Sequence, residues 1–132
     1  MENLIIEILA LLILKHFIVD FLLQFEYQWR HKGTLGHPGG ILHAGLHSAA
    51  TLAIFLIPHQ LEALPIWVMF GLSIGEGVAH YFIDWAKMNL NAHLGWKADT
   101  HPQFWWLLGL DQFLHYMTYV IILKIIVDFL VN

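Results

Sequence analysis

Residues 66–86 read IWVMFGLSIGEGVAHYFIDWA, a run long enough, at ~1.5 Å per helical residue, to cover the ~30 Å of hydrocarbon in a bilayer. Its ionisable positions, Glu76, His80 and Asp84, are spaced by four and so fall on one helix face. Such a stripe is costly against lipid and needs neighbouring helices to cover it, so the run predicts a bundle rather than a single anchor.

Three further apolar stretches supply the neighbours: Leu4 to Phe25, Ile41 to Ile57 and Phe104 to Leu130. Together they predict an all-α, polytopic membrane protein, one four-transmembrane-helix domain over residues 1–132. Helix breakers punctuate the connections: Gly33, Gly36, Pro38, Gly39 and Gly40 in the first, Pro58 and Pro65 around the second, Pro102 closing the third. Lys15, His16 and Asp20 interrupt the first stretch, which is therefore expected to stay in the mature chain rather than act as a cleaved signal.

Composition agrees. Of 132 residues 58% are hydrophobic and 12% charged, against about 45–50% and about 25% in soluble domains, which leaves too few charges to coat a water-facing surface. A net charge of −4 provides no basic footprint for nucleic acid. Cysteine is absent, which excludes disulfides, thiol nucleophiles and thiolate metal sites. Arg30, Lys32, Lys87 and Lys97 lie in or beside the first and third connections, whereas the second holds Glu62 and neither Lys nor Arg. The positive-inside rule therefore predicts that connections one and three are cytoplasmic and both termini outside. Trp29, Trp85, Trp96, Trp105 and Trp106 fall at the same end, and Trp67 at the other.

Each stretch carries one pair of metal-ligand residues at i,i+4: His16 and Asp20, His43 and His47, His80 and Asp84, Asp111 and His115. That spacing puts both side chains on one helix face, where they can converge on one ion. The pair comes late in stretches one and three and early in two and four, so alternating helices bring all four to one level, in the half nearer connections one and three. Asp20, Asp84 and Asp111 would bring three negative charges into that layer; two divalent cations would balance them, and eight ligands from four helices suit a dinuclear centre. Nitrogen and oxygen ligands without sulfur point to Zn, Mn or Fe. A single His–Asp pair would read as interhelical glue; four pairs at one depth favour a metal. Glu76, one turn deeper than His80, is a candidate ligand, base or buried acid. Gln24 and Gln112 are candidates to orient the ligands, and Lys87, Lys32 and Arg30 stand where an anion would approach. His31, His37, His59, His93 and His101 fall in connections without a partner at chelating spacing.

The motifs His16-x-x-x-Asp20-Phe21-x-x-Gln24, His43-x-x-x-His47, His80-Tyr81-x-Ile83-Asp84-x-x-Lys87 and Asp111-Gln112-x-x-His115 resemble a family of small prokaryotic and phage membrane proteins, domain of unknown function 3307. The resemblance spans nearly the whole chain and implies a prokaryotic inner-membrane setting, with no established activity to carry over. A looser similarity, in architecture and ligand type, is to membrane-bound metal-dependent hydrolases.

The residues lead to the expectation of a di-metal hydrolase acting on a phosphoester or amide of a lipid or lipid-linked substrate. In it His16, Asp20, His43, His47, His80, Asp84, Asp111 and His115 are ligands, Glu76 or a non-coordinating Asp is the general base, and Lys87 is an anion clamp. The rivals are a divalent metal-ion transporter or sensor, a di-iron oxidase (whose longer His boxes this chain lacks) and a phage-type interaction protein with a structural metal. A monomer or a homodimer would each close such a bundle.

Overall fold

The computed structural model describes residues 2–57, 61 and 63–131, and these are helical with no strand among them. Pro58, His59 and Glu62, used above to read the second connection, lie outside the described residues. Helix α1 (Glu2–Phe17) passes without a break into a π-helical turn (Ile18–Leu22), marked by the bond from Leu23 N to Ile18 O at 2.9 Å. A short α2 (Glu26–Trp29) precedes the long helices α3 (Pro38–Leu56), α4 (Ile66–Leu94) and α5 (Pro102–Val131).

The local signals explain the boundaries. Pro38 occupies the first turn of α3, where its missing N–H costs nothing, and the His37 side chain accepts the Gly39 N–H. Helix α4 ends at Gly95, whose φ of 66° is the left-handed cap that glycine adopts without strain. It thus runs eight residues past Ala86, because Lys87, Met88, Leu90, Ala92 and Leu94 are good helix formers although the segment is too polar to read as a span. His93 accordingly lies in the last turn of α4, not in a connection.

Helices α3, α4 and α5 are each long and apolar enough to cross a membrane. Helix α3 packs along α4, α4 along α5, and α1 lies against α3 and α5. The tightest approach is set by Gly77, where a Cβ would collide with the Ser48 side chain and come within 3.0 Å of the Ala44 carbonyl oxygen. The packing is inverted relative to a soluble protein. Large apolar side chains such as Leu14, Phe21, Ile74, Phe82, Leu110 and Ile121 face outward, while fourteen polar or charged residues among the described ones are buried. The interior divides into two layers. One is an apolar plug in which Ile8, Leu12, Phe55, Val68, Ile122 and Ile126 meet. The other is polar and lies at the end of the bundle where Trp29, Trp105 and Trp106 are exposed; Trp67 sits at the far end against Phe129.

Candidate metal centre

All eight predicted ligands are buried in the polar layer, and all four i,i+4 pairs are closed. His16 Nε2 lies 3.2 Å from Asp20 Oδ2, His80 Nε2 3.3 Å from Asp84 Oδ2, and His115 Nε2 3.6 Å from Asp111 Oδ1; the His43 and His47 rings are 4.8 Å apart. The helices bring the pairs together in three groups that could each hold an ion: Asp20 with His43, His47 and His80; His16 with His80 and His115; and Asp84 with Asp111 and His115.

The first group has four members. Asp20 Oδ1 lies 2.8 Å from His43 Nε2 and 3.5 Å from the Nε2 atoms of both His47 and His80, and His43 Nε2 is 3.0 Å from His80 Nε2. A tetrahedron with bonds of ~2.0–2.1 Å has edges of about 3.3 Å; the four distances bracket that value, and the ligand atoms of all four residues lie within 4.8 Å of one another. Asp20 reaches this position from the π-helical turn, whose widened register is a frequent device at functional sites. Asp84 joins this group to the third. Its Oδ2 faces His43 at 3.5 Å and His80 at 3.3 Å, while its Oδ1 faces His115 at 3.8 Å. The buried atoms His47 Nε2, His115 Nε2 and Asp111 Oδ1 make no hydrogen bond among the described residues, an expensive condition in a low-dielectric interior unless a ligand engages them.

His16 is placed differently. Its Nδ1 is 3.0 Å from the Tyr119 hydroxyl and its Nε2 3.0 Å from Gln112 Oε1, so both ring nitrogens already have partners. Gln112, expected to orient a ligand, thus holds the His16 ring. Gln24 donates instead to the Asp20 carbonyl, steadying the π turn. Glu76 lies on the far side of the imidazoles from Asp20: its Oε1 accepts from Lys15 at 2.9 Å and its Oε2 from Thr51 at 3.2 Å, with His47 Nδ1 at 3.7 Å and His80 Nδ1 at 3.9 Å. It faces the backs of these rings, where second carboxylates orient metal-binding histidines. Lys15 also stands 3.0 Å from His47 Nδ1.

Sequence reasoning placed Lys32 and Lys87 beside the site but missed the carboxylates they pair with. Lys32, counted above as a positive-inside residue, is buried and lies 2.7 Å from Asp84 Oδ2 and 3.4 Å from Asp20 Oδ1; Lys87 lies 3.5 Å from Asp111 Oδ2. Two of the four cations that set the inferred orientation, Lys32 and Lys87, are therefore paired with carboxylates of the site. The count that called for two divalent ions also changes. Four buried carboxylates, Asp20, Glu76, Asp84 and Asp111, face three ammonium groups, Lys15, Lys32 and Lys87, so the lysines already balance most of the acidic charge with the histidines neutral. His31 and His37 stack on each other at 3.8 Å, and His101 bonds Thr100, all away from the centre.

A family model described as "Protein of unknown function (DUF3307)" matches residues 8–132. No curated protein and no solved structure matches the chain.

Proposed function

Since the chain belongs to this family of unknown function, we propose a reading taken from the site itself: a membrane-embedded, metal-dependent hydrolase of a lipid or lipid-linked phosphoester or amide. In this reading α1, continued by its π turn from Glu2 to Leu22, is a fourth span. Both termini face outward across a prokaryotic inner membrane, and the polar layer lies in the cytoplasmic half. The carrying observation is the set of four ligand atoms on Asp20, His43, His47 and His80, buried and within 4.8 Å of one another.

A divalent ion, Zn, Mn or Fe, supplies there a water that is nucleophilic near neutral pH. Asp20, His43, His47 and His80 would hold the ion, with Asp84 turned toward both this group and His115. Asp111, 3.6 Å from His115, would take the proton of the attacking water and return it to the alkoxide or amine that leaves as the ester or amide bond breaks. Lys32 and Lys87 draw the anionic group inward, and Glu76 fixes the rings from behind. With one ion the layer carries one positive charge, which an anionic substrate neutralises; a second ion at Asp84, Asp111 and His115 would have to displace Lys32 or Lys87.

The apolar plug separates this reading from a transporter, because Leu12, Ile8, Phe55 and Ile122 fill the interior between the polar layer and the opposite end. The test is hydrolysis of lipid phosphoesters by metal-replete protein in nanodiscs. Activity that disappears in Asp84→Ala and in His47→Ala supports the reading, and activity that survives both overturns it.

A further inference from the structure

The reading above leaves the substrate's chemistry open, and two cavities that share Lys87 bear on it. The first, of about 180 Å³, opens on Asp20 and is lined by Gln24, Lys32, Lys87 and Gln112; its apolar rim includes the exposed rings of Phe21 and Trp29. At that size, below the ~300–1,000 Å³ of pockets for drug-sized ligands, it admits a small polar group and not a whole lipid. Gln24 Oε1 is buried there without a hydrogen-bond partner among the described residues. The second is a groove of about 310 Å³ between α4 and α5, walled by Phe82, Ala86, Leu90, Leu107, Leu110 and Leu114, with Lys87 and Asp111 at its polar edge. Phe82, Leu90, Leu110 and Leu114 are exposed, so this groove faces the surroundings of the bundle along its length.

A cation at the junction of a small polar mouth and an outward-facing apolar groove matches a molecule with a phosphate at one end and a hydrocarbon chain at the other. We infer that the site takes a phosphate-bearing lipid, its phosphate between Lys32 and Lys87 beside Asp20 and one acyl chain along the α4/α5 groove. The inference rests on the metal-dependent reading for the catalytic ion but narrows the substrate from ester or amide to phosphoester. Charge complementarity commits the groove to a chain whose head is anionic: a neutral lipid of the same chains leaves Lys87 with Asp111 alone.

Native mass spectrometry of the purified full chain tests this with three probes: phosphatidic acid, diacylglycerol with the same chains, and inorganic phosphate. Metal content is measured on the same samples. Phosphatidic acid is expected to be retained at least ten-fold over diacylglycerol, and at least five-fold less by Lys87→Gln. Ala86→Phe, which fills the groove from an exposed position, lowers retention of phosphatidic acid but leaves inorganic phosphate binding unchanged. Equal retention of the two lipids overturns the inference, as does unchanged phosphatidic acid retention in Ala86→Phe. Inorganic phosphate bound as tightly as the lipid assigns the mouth to a free anion and also overturns it. Bound metal without lipid selectivity defeats this inference alone, whereas lipid selectivity without metal after repletion defeats the hydrolase reading alone.

Discussion

Lys32 Nζ lies 2.7 Å from Asp84 Oδ2, so a residue of the first connection closes the polar layer by placing an ammonium between two carboxylates from different helices. The connection is held for this purpose: the Gly36 N–H donates to the Tyr81 hydroxyl at 2.7 Å, and Asn89 Nδ2 donates to the Gly33 carbonyl at 2.8 Å. Both anchors lie on α4, on either side of Asp84. Lys32 and a metal ion therefore do the same electrostatic work on Asp20 and Asp84.

From this overlap, Lys32→Met is expected to cost about 3–5 kcal/mol in metal-free protein, the usual penalty for leaving a buried charge without its partner. Saturating divalent ion should recover much of the loss, because the ion binds only the folded site. Unfolding in mixed micelles, with and without Zn, measures both. Equal losses in the two conditions would contradict a shared role.

The Lys15–Glu76 pair, 2.9 Å apart and buried on both sides, is expected to behave as a unit. Glu76→Leu strands the Lys15 ammonium and should lower stability by about 3–5 kcal/mol, whereas Lys15→Met with Glu76→Leu should recover most of it. Additive losses in the same unfolding assay would show that the two residues act separately.

Gly77 determines how closely α3 approaches α4, and so the 3.0 Å separation of His43 from His80. Gly77→Ala is expected to cost about 1–3 kcal/mol by overpacking and to weaken metal affinity at least ten-fold in competition with a chelator. Gly45→Ala, whose Cβ meets open space, should change neither. Unaltered affinity in Gly77→Ala would mean that the centre does not depend on this contact.

The eight converging residues were legible because two regularities pointed at them: four-residue spacing along each helix and a common depth across alternating helices. Both follow from helix geometry and survive without knowledge of tertiary contacts. The π turn at Ile18–Leu22 was not legible, since IVDFL carries no breaker and the change lies only in which carbonyl each N–H meets. The same stretch was expected to continue to Phe25, but the helix stops at Leu22 and α2 starts at Glu26. Lys32 was hidden for a different reason. A lysine beside a span reads as an orientation signal, and only the anchoring of its connection to Tyr81 and Asn89 turns it inward. Glu76 was visible as an intramembrane acid, but its role depends on Lys15, sixty-one residues away in sequence. Lys15 itself had no assigned partner until the two helices were packed together.

His16 and His43 separate anchoring from ligation. His16 spends both ring nitrogens on Tyr119 and Gln112, whereas His43 Nε2 stands within the group with Asp20, His47 and His80. His16→Ala is therefore expected to lower stability with metal stoichiometry retained, and His43→Ala to lose the metal. The reverse pattern, read by elemental analysis and unfolding on the same preparations, would exchange the two roles.

The most direct test is the metal content of the purified protein, measured by elemental mass spectrometry after repletion with Zn, Mn or Fe(II), for the wild type and for His47→Ala combined with Asp84→Ala. One equivalent of a single transition metal per chain, lost in the double variant, is the predicted result. No bound metal in the wild type, or the same stoichiometry in both proteins, would contradict it and leave the four pairs as a buried network of ion pairs and hydrogen bonds joining the helices.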